Sequence, residues 1–288
     1  MKKQTLENLS IVGNPNRKRK SNIDFGLADE LNKYYSNPKN FKKKEEQEKN
    51  KVVSPIENPI INPNLQINKD FWTIDNVKYR NGIYKVNLLK ELLDNGNSKT
   101  QDDWVKYSKK AQKNNDFYVG DMPLYHSLFT SLFKLKDKPE VEEIRNFLQK
   151  QFIEKWLMTL TRIKYKPTGE DEIIHNYKMS DEYSIKDNFV GSNEYVKDSV
   201  NKTNYKSLLG TDNLNEINEV YNWITGKDAY IWRLNLKPKS LDERVAGFVA
   251  YSDWTVLVCS WNPSITDASL GVFGIAQVFD PKLAGGLK

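Results

Sequence analysis

Cysteine occurs once, at Cys259, and histidine twice, at His126 and His175, in a chain of 288 residues. One thiol cannot build an intrachain disulfide framework or a cysteine-cluster zinc site, and two histidines cannot build a histidine-rich metal centre. No apolar run approaches the ~18 residues that a membrane-spanning helix needs. The opening Met1-Lys2-Lys3-Gln4 leads into polar residues rather than an apolar segment. No conventional signal peptide is therefore expected, which places the chain inside a cell or virion unless it is displayed by non-standard export. A Gly-rich phosphate loop, a Gly-x-Ser-x-Gly elbow and a His-Glu-x-x-His pair are all missing. The expectation is a non-catalytic protein without metal or cofactor.

Aromatic side chains, by contrast, make up 12% of the chain, at a mean hydropathy of −0.71. That is enough large apolar surface for a sizeable core in one or two domains. The net charge of +6 is unevenly placed. Residues 1–66 hold 13 Lys/Arg against 8 Asp/Glu, residues 67–228 hold 25 against 25, and residues 229–288 hold 6 against 5. The excess sits in Arg17-Lys18-Arg19-Lys20 and Lys42-Lys43-Lys44. Such clusters can meet nucleic acid or an acidic surface, but no stacking aromatics interleave with them as a single-strand groove requires. Pro55, Pro59 and Pro63 forbid a continuous helix or central strand there. Residues 1–66 thus read as a basic, Asn/Pro-rich, partly extended arm and 67–288 as the folded domain.

Within that domain, strands are expected at Phe71–Ile74 and Lys78–Val86 around an Arg80-Asn81-Gly82 turn. Helices are expected at Val86–Leu93, at Gln101–Lys113 with Ser98 or Thr100 as cap, and at Pro123–Leu135. A longer one is expected at Pro139–Leu160, where Ile144, Phe147, Leu148, Ile153, Trp156, Leu157 and Leu160 form one apolar stripe. Leu214, Ile217, Tyr221 and Ile224 mark another helix, stopped by Gly226. Tyr230–Leu236 alternates as a half-buried strand with Arg233 and Asn235 on the outer side. Residues 165–212 carry no strong period. Glu170-Asp171-Glu172 reads as a solvated turn, and His126 as a structural partner for a neighbour.

The most informative stretch is 244–273. Two strands, about 245–251 and 255–260, join through a tight connection at Ser252-Asp253-Trp254, and Leu270–Val278 reads as a third. Alternation puts Phe248, Ala250, Leu257 and Cys259 on one side and Val249, Tyr251, Val256, Val258 and Ser260 on the other. Cys259, among hydrophobic strand neighbours, reads as a buried small residue rather than a nucleophile.

The spacing Arg244-Val245-x-x-Phe248-x-Ala250-x-Ser252…Leu257-x-Cys259-x-x-x-Pro263…Leu270-Gly271-Val272 resembles the variable region of variable proteins of diversity-generating retroelements, and within them the archaeal, Nanoarchaeota-type group. The resemblance covers about thirty of the 288 residues. It departs from the family at Phe273, where Arg is frequent, and in lacking the Gly-Gly-Ser-Trp of bacterial relatives. It implies an α+β C-type lectin fold, related to formylglycine-generating-enzyme domains, with helices packed around small antiparallel sheets. It also implies that adenine-directed mutagenesis turns Asn codons into others at chosen positions while Phe248, Ala250, Ser252, Leu257, Cys259, Pro263, Leu270, Gly271 and Val272 persist. The varied set would be Val249, Tyr251, Asp253, Val256, Val258, Ser260, Asn262, Ser264 and Thr266, all reachable from an Asn codon by changing adenines alone. Trp254 and Trp261 are not reachable that way, so each is fixed or descends from an arginine codon, and both join the implied ligand-binding set. The paired cysteines of the copper-dependent relatives cannot exist here. Of the calcium-lectin signatures, only Trp261-Asn262-Pro263 approaches one, so no calcium site is implied.

On this reading the chain is a binding protein whose C-terminal strands and loop display a hypervariable surface to a macromolecule, protein rather than glycan, on a host, virus or symbiont. Val249, Tyr251, Val256 and Val258 must then face solvent as an apolar partner patch. The competing reading is a core sheet buried on both faces. A nucleic-acid-binding protein working through the basic arm and an enzyme on a lectin-like scaffold are the alternatives in function.

Overall fold

Arg80 and Asn81 reverse the chain, so that Tyr79 pairs with Gly82. The resulting hairpin, β2 (Phe71–Tyr79) and β3 (Gly82–Leu92), is flanked by β1 (Asn64–Ile67) and by β12 (Phe273–Phe279) in an antiparallel four-stranded sheet, β1-β2-β3-β12. The computed structural model describes residues 63–279. The basic clusters of the arm lie outside them, whereas Asn64–Gln66, assigned to the arm, begin β1.

The second sheet is larger and mixed rather than small and antiparallel throughout. Its eight strands are β4 (Trp156–Tyr165), β5 (Asp171–His175), β6 (Tyr183–Asp187), β7 (Glu194–Tyr195), β8 (Ala229–Trp232), β9 (Asp242–Ala250), β10 (Thr255–Trp261) and β11 (Leu270–Gly271). They run in the order β6-β5-β4-β9-β10-β8-β7, with β11 paired to the start of β4. The β10–β8 and β11–β4 pairs are parallel.

Five helices accompany the sheets among the described residues: α1 (Gln101–Lys113), α2 (Met122–Lys134), α3 (Pro139–Glu154), α4 (Thr203–Leu209) and α5 (Leu214–Thr225). Local chemistry sets their ends. The side chains of Thr100, Asp121 and Asn213 accept backbone N–H groups of the first turns of α1, α2 and α5. Gly226 closes α5 at φ +77°, a conformation open to glycine. The architecture is mixed α+β, with a curled sheet and helices against its inner side.

Several expected elements are corrected. Of the expected helix Val86–Leu93, residues up to Leu92 are the second half of β3, and Leu93 opens a single 3-10 turn, Leu93–Gly96. Leu88, Leu89, Leu92 and Leu93 carry a spacing that a helix shares, and pairing with β2 on one side and β12 on the other decides for the strand. Pro139–Leu160 is helical only to Glu154; Trp156, Leu157 and Leu160 belong to β4, and Ile153 is exposed. Tyr230–Leu236 stops being a strand at Trp232: Leu236 is exposed, and Arg233 is buried with its guanidinium against Glu194 and the Ser192 carbonyl. Leu270–Val278 splits into β11 and β12, which join different sheets.

The main core lies between the two sheets and α2, α3, α4 and α5. Tyr125, Phe129, Phe152, Tyr221, Phe248 and Phe273 form a ring cluster there with centroid separations of 5.6–6.4 Å. Each such side chain stabilises the fold by roughly 1.5–3 kcal/mol through burial. Cys259 is buried, and burial pushes its thiol up, away from thiolate reactivity.

Polar groups inside this fold are largely organised by single side chains. Asp171 is not part of a solvated turn: it is fully buried and accepts the N–H groups of Lys166, Phe189 and Val190 and the Lys237 ammonium. Asp121 takes the Tyr79 hydroxyl at 2.6 Å as well as Leu124 N–H, yet burial still pushes its carboxyl up to about 7. His175 donates from Nε2 to the Ser207 carbonyl, leaving Nδ1 as acceptor for the Thr161 hydroxyl. Burial holds it down at about 4. His126 stacks on Tyr221 with a centroid distance of 5.7 Å. Neither of its ring nitrogens has a hydrogen-bond partner, and burial holds it down at about 3.

These shifts fix a pH dependence. Both histidines lie below their ordinary value of 6.5, so the unfolded chain takes up their protons first and stability is lost as pH falls from about 6.5 toward 4 and 3. Asp121 acts oppositely, because its folded carboxyl keeps a proton that the unfolded chain releases between 3.8 and about 7. Two groups against one leave a net loss of about 1.4 kcal/mol per pH unit between pH 6.5 and 4. Urea unfolding of His126→Phe across that range is expected to be nearly flat, and the variant more stable than wild type at pH 5. An unchanged slope would place the acid sensitivity elsewhere.

Candidate functional site

Period-two alternation gives the middle of the large sheet two apolar faces. Phe248, Ala250, Leu257 and Cys259 turn inward to the main core. Val249 and Val256 are cross-strand partners, Val256 also pairs with Tyr230, and Val258 with Trp232, so these residues share the outer face. That face is not an open patch of valines. Val249, Val256 and Val258 are 2%, 0% and 4% exposed, and of the four residues expected to meet solvent only Tyr251 does, at 40%.

What covers the valines is aromatic. Trp156 from β4, Tyr195 from β7, Trp232 from β8, Trp254 from the β9–β10 turn and Trp261 from the end of β10 pack over them and Tyr230, and among the described residues no helix residue belongs to this cluster. The five covering rings are themselves half-buried, so among the described residues they are the outermost layer here. Four of them, with Tyr230, form two groups. Trp156 and Trp261 lie 6.0 Å apart at 15°. Tyr230 and Trp254 lie 5.3 Å apart at 24°, with Tyr195 edge-on to Tyr230 at 5.3 Å.

Two local devices aim these rings. Regular alternation would turn Trp261 inward, opposite Val256 and Val258. The pairing slips between Val258↔Gly247 and Trp261↔Val245, and this bulge brings Trp261 to the outer face. Gly247 then makes room, since any Cβ at that position would meet the Trp261 ring and the Leu157 carbonyl oxygen. In the β9–β10 turn, Tyr251 N–H donates to the Trp254 carbonyl at 3.0 Å and the Lys227 ammonium reaches the Tyr251 carbonyl.

Around the rings lie the other expected contact residues. Tyr251, Asp253, Asn262, Ser264 and Thr266 are exposed, while Trp254, Ser260 and Trp261 are half-buried. Asn262 has a structural task, because its side-chain oxygen accepts Ser264 N–H at 2.9 Å. Asp267 does the same for Ser269 N–H at 2.8 Å. The Lys155 ammonium ties down the Ala268 carbonyl, and Gln101 N–H the Pro263 carbonyl. The 262–269 loop is therefore fastened at several points.

Thus the structure brings together eight of the eleven expected ligand-binding residues at the surface and buries the three valines as a floor. Sequence reasoning missed Trp156, Tyr195 and Trp232 as parts of this face. Trp232 was readable from the β8 alternation, but Trp156 lay in an expected helix and Tyr195 in a stretch without period. Among the described residues no group of three or more His, Cys, Asp or Glu side chains could hold a metal, and no helix is long and apolar enough to cross a membrane. No protein-family model matches the chain, and neither a curated protein nor a solved structure matches it.

Proposed function

We propose that this chain is a non-catalytic binding protein of C-type-lectin type, whose aromatic outer face and adjoining 251–253 and 262–268 loops bind a macromolecular ligand, a protein rather than a glycan. One observation carries the reading: a sheet face covered by no helix among the described residues, with five half-buried aromatic rings as its outer layer. Large rigid rings provide contact area at little entropic cost, and the small polar residues beside them adapt to a partner. The retroelement reading belongs to the same proposal in a narrower form. Variation falls on Tyr251, Asp253, Ser264 and Thr266, whose side chains are exposed and bear little on the packing. It does not fall freely on Val249, Val256 and Val258, where a polar replacement meets a packed floor.

Two measurements test this. A near-copy of the coding region for 244–273, differing only at template adenines and lying beside a reverse transcriptase gene, is the expected genomic finding; scattered differences of every nucleotide type would remove the retroelement. In the full chain, joint substitution of Tyr251, Asp253, Ser264 and Thr266 by Asn is expected to leave the unfolding midpoint nearly unchanged. Val256→Asn alone is expected to cost about 2–4 kcal/mol by burying an unpaired amide beside a lost methyl contact. Equal costs would show that the loops are not the replaceable part.

A further inference from the structure

Several aromatic rings among the described residues carry a cation from the chain itself. Arg80 lies 4.1 Å over Tyr183, Arg162 4.1 Å over Tyr177, and Lys90 5.1 Å over Trp72. At the rim of the outer face Lys197 sits 5.5 Å over Tyr195, with its ammonium 2.6 Å from Asp228. Ring, cation and carboxylate thus already occur together at the edge of the site. The four tryptophans of the face, Trp156, Trp232, Trp254 and Trp261, carry no such cation among the described residues.

The charge that the C-terminal strands and loops themselves contribute is one-sided. From Val245 to Phe279 the sequence contains no Lys or Arg, only Asp253 and Asp267, both exposed and both in the loops that border the rings. Asp253 immediately precedes Trp254 and makes no hydrogen bond or ion pair among the described residues. The cations that border the face are already engaged: the Lys155 and Lys227 ammonium groups are tied to the Ala268 and Tyr251 carbonyls, and the Arg244 guanidinium to Asp242 and the Ser260 carbonyl. Indole faces with their negative quadrupole, bordered by carboxylates and with the neighbouring cations engaged elsewhere, favour a positively charged group laid flat on the ring. Guanidinium suits this better than ammonium, since it is planar, weakly hydrated and able to pair with a carboxylate through two N–H groups.

We infer that the partner presented to this face is a basic protein segment, with arginine side chains stacked on the exposed indoles of Trp232, Trp254 and Trp261 and paired with Asp253 and Asp267. The inference rests on the outer face being the binding surface and adds the chemistry of its ligand. It runs against the net charge of +6, so a basic probe that binds does so through a local site and not through the overall field.

The test uses the full chain and capped hexa-arginine, hexalysine, hexaglutamate and hexaserine peptides, read by tryptophan fluorescence and by the indole N–H signals in NMR spectra. Hexa-arginine is expected to bind most tightly, at least threefold over hexalysine, and to shift the signals of Trp232, Trp254 and Trp261. Asp253→Lys with Asp267→Lys, both at exposed loop sites, is expected to weaken it at least tenfold, and Trp232→Leu at least fivefold. Binding of hexaglutamate or hexaserine as tightly as hexa-arginine would overturn the inference. So would hexa-arginine affinity unmoved by the two lysine substitutions, or a neutral oligosaccharide that shifts the same indoles while hexa-arginine does not. These outcomes leave the genomic test of the retroelement and the tolerance of the loops to substitution untouched, so the two readings fail separately.

Discussion

Replacing Gln101 by leucine is expected to cost about 3–5 kcal/mol of stability, although Gln101 is only the first residue of a surface helix. The reason lies in β4. Its register against β9 shifts between Met158↔Gly247 and Arg162↔Val245, which takes the carbonyls of Thr159 and Thr161 out of regular pairing at this point. The Gln101 amide nitrogen donates to both, at 2.8 and 3.1 Å, and its oxygen accepts Arg162 Nε–H at 2.6 Å. The side chain is fully buried, so water cannot replace any of these bonds. Arg162 is itself buried, held by Glu243 at 2.6 Å and laid over Tyr177, and its Nη2 already lacks a hydrogen-bond partner. Leucine would leave two carbonyls and one guanidinium N–H unpaired without solvent. Thr100→Ala, which removes only the cap of the same helix, should cost about 1 kcal/mol. Urea unfolding at pH 7 separates the two; a Gln101→Leu loss no larger than that of Thr100→Ala would mean that the irregular carbonyls find other donors.

Features like this one divide what the sequence discloses from what it hides. The helices at Gln101, Met122 and Leu214 are readable because their signals are local: a capping oxygen, an early proline, a terminal glycine and an apolar stripe. The β9–β10 pair is readable for the same reason, through alternation and a compact turn. Reading fails where partners distant in sequence decide. The leucines of β3 fit a helix until β2 and β12 are both present. The stripe of α3 runs on through Trp156, Leu157 and Leu160 because apolar residues suit a buried strand equally well.

The outer face shows the limit most sharply. Alternation correctly separates Val249, Val256 and Val258 from Phe248, Leu257 and Cys259, but it says nothing about what lies above the valines. Apolar residues on both faces of a strand signal cover on both sides. Here the second cover is a layer of rings drawn from four strands and a turn, with Trp156 and Tyr195 hidden in segments of misread or absent period. The outer face was therefore located by its floor, while three of the five rings that form its surface came from elsewhere in the chain.

Gly247→Ala is expected to be the most damaging small substitution in the site, at about 3 kcal/mol, and to open the Trp156–Trp261 stack. Its cause is not backbone conformation. Gly247 sits in the centre of the sheet, opposite Met158 on one side and Val258 on the other. The added methyl would strike the Trp261 ring and the Leu157 carbonyl oxygen, neither of which is the free end of a flexible chain. Gly226→Ala supplies the contrast: φ there is +77° with nothing within 4 Å of the new carbon, so only the left-handed conformation is penalised, by about 1 kcal/mol. Near-UV circular dichroism should register the loss of the parallel indole pair in Gly247→Ala and no change in Gly226→Ala. In a Trp261→Ala background, Gly247→Ala should cost less than it does alone, since one of the two obstructions is already gone, while the Leu157 carbonyl keeps part of the penalty. If the two substitutions prove additive and the indole signal survives in Gly247→Ala, Trp261 does not lie across Gly247, and the bulge in β10 does not turn it to the outer face.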